Sequence, residues 1–265
     1  PKATAIESDL AAVTADGLLS HLRHPERFVL AGCPPCQLFS KLQRNRKRND
    51  RVIRRYFDLI AELDAEYIVF ENVPQIQNFP RVWGRLTKTL ETSGYTFHAT
   101  RMPIVSLGVP QHRERLVLLA SKSGAVILDP PLTKVRTVRD AIGALPDIDP
   151  AIPNHRTLVL SPENLRRIRT IKKDGGLSRT MDQPFRDSYA RMSWDRPAPT
   201  ITTKCISFSN GRFGHPEFDR AITAREAALL QGFPMDFVFE GNLMDAAKQV
   251  GNAVPPPVGE LLGRS

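Results

Sequence analysis

At 265 residues, with 41% hydrophobic and 25% charged side chains, the chain has the length for one large domain or a large and a small one, and its composition argues against disorder. Three unevenly spaced cysteines, Cys33, Cys36 and Cys205, exclude a disulfide framework and a four-ligand zinc site, so no metal is expected. The net charge of +9 favours a polyanionic partner, because each phosphate neutralised by Lys or Arg releases condensed counterions.

From the amino terminus, the first apolar run is Arg27–Ala31, which reads as a strand and leads into Gly32-Cys33-Pro34-Pro35-Cys36-Gln37. The basic and amide-rich run Lys41–Arg48 suits phosphate binding in a loop that orders on its ligand, or a solvated loop and nothing more. Helical spacing follows over Asn49–Leu63, then a strand over Tyr67–Phe70 that ends in Glu71-Asn72-Val73. A second helix is predicted over Arg81–Thr92, with Gly94 at its C-cap, and a strand over Tyr95–Arg101. Gln111-His112-Arg113-Glu114-Arg115 precedes a last strand, Leu116–Ala120. The nearly continuous Val, Ile and Leu of the second and fourth strands have the look of buried parallel strands. Their alternation with helices predicts a doubly wound α/β sheet with its ligand beyond the carboxyl ends of the strands.

From Ser121 the texture turns to Pro- and Gly-punctuated segments with short helices at Val138–Leu145 and Pro162–Lys172. Thr223-Ala224-Arg225-Glu226 has the form of a capping box opening the apolar stretch Ala227–Leu230, and a last helix is predicted over Val258–Leu262. The organisation expected is 1–134 as an α/β domain, 135–222 as a smaller, loop-rich region, and 223–265 as helices returning to the first domain. No apolar run reaches membrane-spanning length and no leader opens the chain, so a soluble, cytoplasmic protein is expected.

Cytosine becomes nucleophilic at ring carbon 5 only after a thiolate adds to carbon 6, which needs an exposed and positioned cysteine. Cys36, behind two prolines at the end of a strand, suits that chemistry, with Arg113, Arg115 or a helix amino terminus to favour the thiolate; a lone cysteine is more often buried and structural. Glu71 can serve ring nitrogen 3 and the exocyclic amine, or simply cap the turn that follows it. Alternation sends Gln111, Arg113 and Arg115 to one face, either to hold a base carbonyl and a phosphate or as an exposed charged edge.

Together these segments resemble the DNA cytosine-5 methyltransferase family. Gly32 to Ser40 resembles its nucleophile loop, Glu71-Asn72-Val73 its glutamate motif and Gln111 to Arg115 its Q-x-R-x-R element. Arg196-Pro197-Ala198-Pro199-Thr200-Ile201-Thr202 is similar to the motif that organises target recognition, and Gln249 to Pro256 to the closing motif at the cofactor pocket. The resemblance covers about Arg27 to Gly263 and implies a Rossmann-like S-adenosylmethionine-dependent methyltransferase sheet with a smaller, loop-rich target-recognition domain. It implies transfer of a methyl group from S-adenosylmethionine to a cytosine flipped out of double-stranded DNA, in a sequence-specific, restriction-modification setting. Cys36 is then the nucleophile, Glu71 the base contact, and Arg115, supported by Arg113, a partner of base or glutamate. Gln37, Ser40, Arg44, Arg46, Lys47 and Arg48 of the mobile loop, with Thr200 and Thr202, are the implied DNA contacts.

The family's opening strand and glycine-rich F-x-G-x-G turn have no counterpart before Arg27, so the amino-terminal strands are expected to be missing. Asp9, Pro34, Asn252 and Ala253 are the cofactor contacts that the resemblance leaves, and weak cofactor binding by the isolated chain is expected. Truncation, a split enzyme with a complementary amino-terminal subunit or fragment, and a degenerate DNA-binding subunit each account for the departure. Transfer-RNA cytosine-5 methylation is the nearest rival; Leu38-Phe39-Ser40 after Gln37 is the DNA-type continuation. A Cys–His hydrolase is the remaining rival, and the six histidines point to no partner for Cys36.

Overall fold

The computed structural model describes residues 4–34, 46–131, 133–177 and 188–265, with backbone alone at 46–50. Packing divides the chain into two compact units, Pro1–Met102 with Glu114–Asp129 and Ser265, and Pro103–Arg113 with Pro130–Arg264.

In the first unit a short helix, α1 (Ala15–Leu19), precedes a four-stranded sheet of β1 (Val29–Gly32), β2 (Tyr67–Asn72), β3 (Thr96–Pro103) and β4 (Glu114–Ser121) in the order β1-β2-β4-β3. β1 and β2 are parallel, as anticipated, but β4 runs antiparallel to β2. Its apolar run reports burial and says nothing of direction. The Ile104–Arg113 connection holds only a 3-10 turn, too short for the crossover helix that a parallel neighbour requires.

Two helices cover one face of this sheet, α2 (Arg46–Leu63) and α3 (Pro80–Thr92). Ile53, Tyr56, Phe57 and Ile60 recur at helical spacing on α2 and bury against Ile68 and Phe70 of β2, Leu116, Leu118 and Ala120 of β4, and Leu86 and Leu90 of α3. Truncating a fully buried side chain such as Phe70 to alanine costs about 3–5 kcal/mol in such a core. Gly32 makes the close approach possible: a Cβ there would lie 2.1 Å from the Tyr56 ring, whose hydroxyl donates to the Val69 carbonyl at 3.0 Å. Gly94 closes α3 at φ +79°, as its C-cap position predicts.

The second unit is built on α4 (Val138–Ile142), α5 (Pro162–Thr170), α6 (Ala224–Leu230), α7 (Leu243–Asn252) and α8 (Pro256–Arg264). The capping box read from the sequence is present: the Thr223 hydroxyl accepts from the Glu226 N–H at 3.1 Å, and the Glu226 carboxylate accepts from the Thr223 N–H at 2.7 Å. Texture alone set residues 223–265 apart from 135–222, whereas by packing Val138 and Ile142 of α4 share one core with α6 and with Ala246, Ala247 and Val250 of α7. α7 itself carries a capping box, Asn242 with Asp245, that the sequence reading passed over.

Candidate active site

The pleat of the sheet decides which side chains meet. Phe70 and Leu116 face α2, so Glu71 and Arg115 face the other way. β1 pairs Gly32 with Phe70, which sets Cys33 beside Glu71, and β4 pairs Val117 with Glu71, which sets Arg115 on the same face one alternation away. Register continued one residue past β1 thus sets Cys33, Glu71 and Arg115 in a row at the ends of three strands. Because β4 is antiparallel, its amino-terminal residues reach the carboxyl end of β2.

Arg115 Nε lies 2.8 Å from Glu71 Oε1, with both side chains largely buried. The contact is an ion pair by distance and lacks the alignment of a hydrogen bond, so this buried carboxylate oxygen keeps unspent accepting capacity. Cys33 is exposed as a whole residue, yet desolvation around its thiol, followed by the charge of and hydrogen bond to Glu71, pushes its pKa up to about 12 against the opposing Arg115. Asn72 donates from Nδ2 to the Pro34 carbonyl at 3.0 Å and accepts from the Val73 N–H at 2.9 Å, so one amide fixes the chain leaving β1 and the turn leaving β2.

In the second unit, the Gln111 side chain accepts from the Ile201 N–H at 2.9 Å and Arg113 Nη1 donates to the Ile201 carbonyl at 3.1 Å. Both are buried, and Ala198 bonds the backbone of Pro110 and His112, so this segment clasps the Arg196–Thr202 segment through the N–H and the carbonyl of one residue, Ile201. Gln111 also donates to Gln231, which donates to the Val250 carbonyl at 2.7 Å. Gly251 completes the joint: a Cβ there would lie 2.3 Å from Thr202 C and Thr203 N.

Sequence-predicted site residues fall into three sets. Cys36, Gln37, Ser40 and Arg44 lie outside the described residues, while Arg46, Lys47 and Arg48 are on the first turn of α2. Glu71, Arg115 and Pro34 come together at the strand ends. Arg113, expected to support Arg115, donates from Nη1 to Ile201; Thr200 donates to the His112 carbonyl at 2.7 Å, and the Thr202 hydroxyl accepts from the Lys204 N–H at 3.4 Å. Asp9 caps its own 3-10 turn by accepting from the Ala11 N–H at 3.1 Å. Asn252 ends α7 and Ala253 is its C-cap. Sequence reasoning missed Cys33 and Gln231. Strand register signals Cys33 once Glu71 is placed; Gln231 carries no local signal, since its partner lies far away in the chain.

Among the described residues no group of His, Cys, Asp and Glu gathers as metal ligands, and no helix is long and apolar enough to cross a membrane. The family model described as C-5 cytosine-specific DNA methylase matches residues 5–265. A Type II methylase of Herpetosiphon aurantiacus, M.HgiDII, is 35% identical, the match covering 98% of this chain and 81% of that protein. The Type II methyltransferase M1.HphI of Haemophilus parahaemolyticus is 30% identical, over 100% of this chain and 75% of its own. In fold, the chain resembles a crystal structure of an Escherichia coli prophage-encoded putative DNA modification methyltransferase, with a TM-score of 0.74 at 21% identity over 96% of this chain and 83% of that one.

Proposed function

The chain belongs to the C-5 cytosine-specific DNA methylase family, and from that membership we propose that Cys36 is its nucleophile and that Glu71, held by Arg115, meets the edge of a cytosine flipped out of duplex DNA. It is a DNA cytosine methyltransferase and uses a methyl donor. The observation that carries the residue assignment is the Glu71–Arg115 pair at the strand edge, beside the Pro34 carbonyl anchored by Asn72, from which the chain runs on to Cys36.

Addition of the Cys36 thiolate to ring carbon 6 forms a carbon–sulfur bond and moves the electron pair of the ring double bond to carbon 5. A proton shared between Glu71 and ring nitrogen 3 relieves the charge that develops there, while the other carboxyl oxygen accepts from the exocyclic amine. Once carbon 5 carries the methyl group, its proton passes to solvent water, the electron pair of that carbon–hydrogen bond restores the ring double bond, and the Cys36 thiolate leaves from carbon 6. The donor, which we take to be S-adenosylmethionine, supplies an electrophilic methyl on a positively charged sulfur. The described residues fit it in part: Pro34 stands buried at the end of β1, while Asp9 spends a carboxylate oxygen on its own turn. Asn252 and Ala253 are the remaining groups offered for it.

The named relatives are Type II enzymes, which supports sequence-specific methylation of a restriction-modification type. They give no support to a complementary subunit. Trapping on duplex DNA containing 5-fluorocytosine tests the assignment. The wild-type chain with donor should form a stable covalent adduct, Cys36→Ser none, and Glu71→Gln one at a much lower rate. An adduct with Cys36→Ser, or methylation of transfer RNA in place of duplex DNA, overturns it.

A further inference from the structure

The covalent chemistry accounts for Glu71, Arg115 and the segment beyond Pro34, but it leaves Cys33 without a task. Cys33 directly follows β1, whose last residue, Gly32, pairs with Phe70 of β2, so the parallel register carried one residue further sets Cys33 beside Glu71. Strands sit about 4.8 Å apart and side chains of paired residues share a face, which brings a thiol within reach of a carboxylate. The opposite face is closed by Tyr56, packed where Gly32 has no Cβ. Arg115 approaches Glu71 from the other neighbouring strand.

We propose that Cys33 is a positioning residue, its thiol donating a hydrogen bond to the Glu71 carboxylate from β1 while Arg115 holds that carboxylate from β4. The inference rests on the reading of Glu71 as the base contact. A carboxylate on a flexible stem rotates about its last bond; a thiol donor on one side and a guanidinium charge on the other select one orientation before the base arrives. A thiol is a weak donor to neutral acceptors and a better one to an anion. The environment keeps Cys33 in its donating form, since desolvation and the Glu71 charge both oppose ionisation. One member of the Cys33-x-x-Cys36 pair is thus held as a thiol, which removes it as a competing nucleophile and as a redox partner.

Two measurements on the full chain test this. Steady-state methylation of duplex DNA should show Cys33→Ala losing roughly three- to tenfold in kcat, the scale of one ordinary hydrogen bond as suits a weak thiol donor, with KM for DNA unchanged. Cys33→Ser, which retains a donor, should recover most of the loss. Independently of activity, iodoacetamide labelling at pH 9 read by peptide mass spectrometry should be slow at Cys33 in the wild type and several-fold faster in Glu71→Gln. Wild-type kcat in Cys33→Ala, or equal Cys33 labelling with and without the Glu71 charge, overturns the inference. Should Cys33→Ala fail to fold, the serine variant and the labelling still decide it. Adduct formation by Cys36→Ser would instead sink the catalytic assignment and leave the labelling result standing.

Discussion

Arg115 is valuable to Glu71 because both are nearly out of water. The idealised attraction of such a pair is large, yet so is the cost of desolvating two charges, and what mutation reveals is the charge left behind. Replacing Arg115 with alanine leaves a buried carboxylate without its ion-pair partner. The expected loss is about 3 kcal/mol of stability, read as a lower urea midpoint, because stranding one member of a buried pair costs several kcal/mol. Methylation should fall further than stability alone explains, as Glu71 turns toward whatever donors remain. Arg115→Lys restores charge without the fork and should recover stability more fully than activity. If Arg115→Ala unfolds at the wild-type urea concentration, the pair contributes nothing. At this scale the sequence was legible where chemistry is intrinsic to the residue. Glu71 and Arg115 stand out as charges at strand ends, whereas Cys33 gains its meaning only from the register that places it beside Glu71.

At the scale of elements, the run Leu116–Ala120 announced a buried strand, and the strand is there, one or two residues longer at each end. Its direction was illegible because both faces of β4 are covered and either direction yields the same apolar string. Yet direction decides the site: only an antiparallel β4 brings its first residues to the end of β2. The helix α7 was hidden for another reason. Gln249 to Pro256 drew attention as a cofactor motif, and Asn242 with Asp245 went unread as the cap of the helix that carries it. The structure gives Gly251 a packing reason. Its missing side chain lets α7 lie directly on the Thr202–Thr203 backbone, where a Cβ would fall 2.3 Å from two main-chain atoms. Backbone cannot step aside as a side chain can, so Gly251→Ala should destabilise the second unit by about 2–4 kcal/mol, at or above the usual cost of overpacking. Thermal unfolding should show it, and a melting temperature within a degree of wild type would refute the close packing.

At the scale of the whole molecule, a buried polar knot in the second unit is expected to contribute to the response to acid. Arg191 donates to the carbonyls of His215 and Phe218 and pairs with Asp219, while Arg220 grips the Glu226 carboxylate at 2.8 and 2.9 Å and pairs with Asp147 at 2.7 Å. His215 lies between them, accepting from the Glu217 and Phe218 N–H groups through Nδ1 at 3.1 Å and packed against the rings of Trp194 and Phe218. Burial, then the charges of Arg220, Arg191 and His155, push its pKa down to about 3, although Glu226 stands 3.5 Å from Nε2. The folded value is below the ordinary one near 6.5, so the unfolded chain takes up a proton that the folded unit refuses. The stabilisation is complete above pH of about 6.5 and drains away as pH falls toward about 3, amounting to several kcal/mol over the window. His215→Asn keeps an acceptor for the turn and removes the titration. It should weaken the protein at pH 7.5 through lost packing, yet flatten the fall in stability between about pH 6.5 and 4. The chain has two tryptophans, Trp83 in the first unit and Trp194 against His215 in the second, so a Trp83→Phe background makes fluorescence report on the second unit alone. Urea midpoints that decline with equal slope in both proteins would mean that His215 does not govern the acid response.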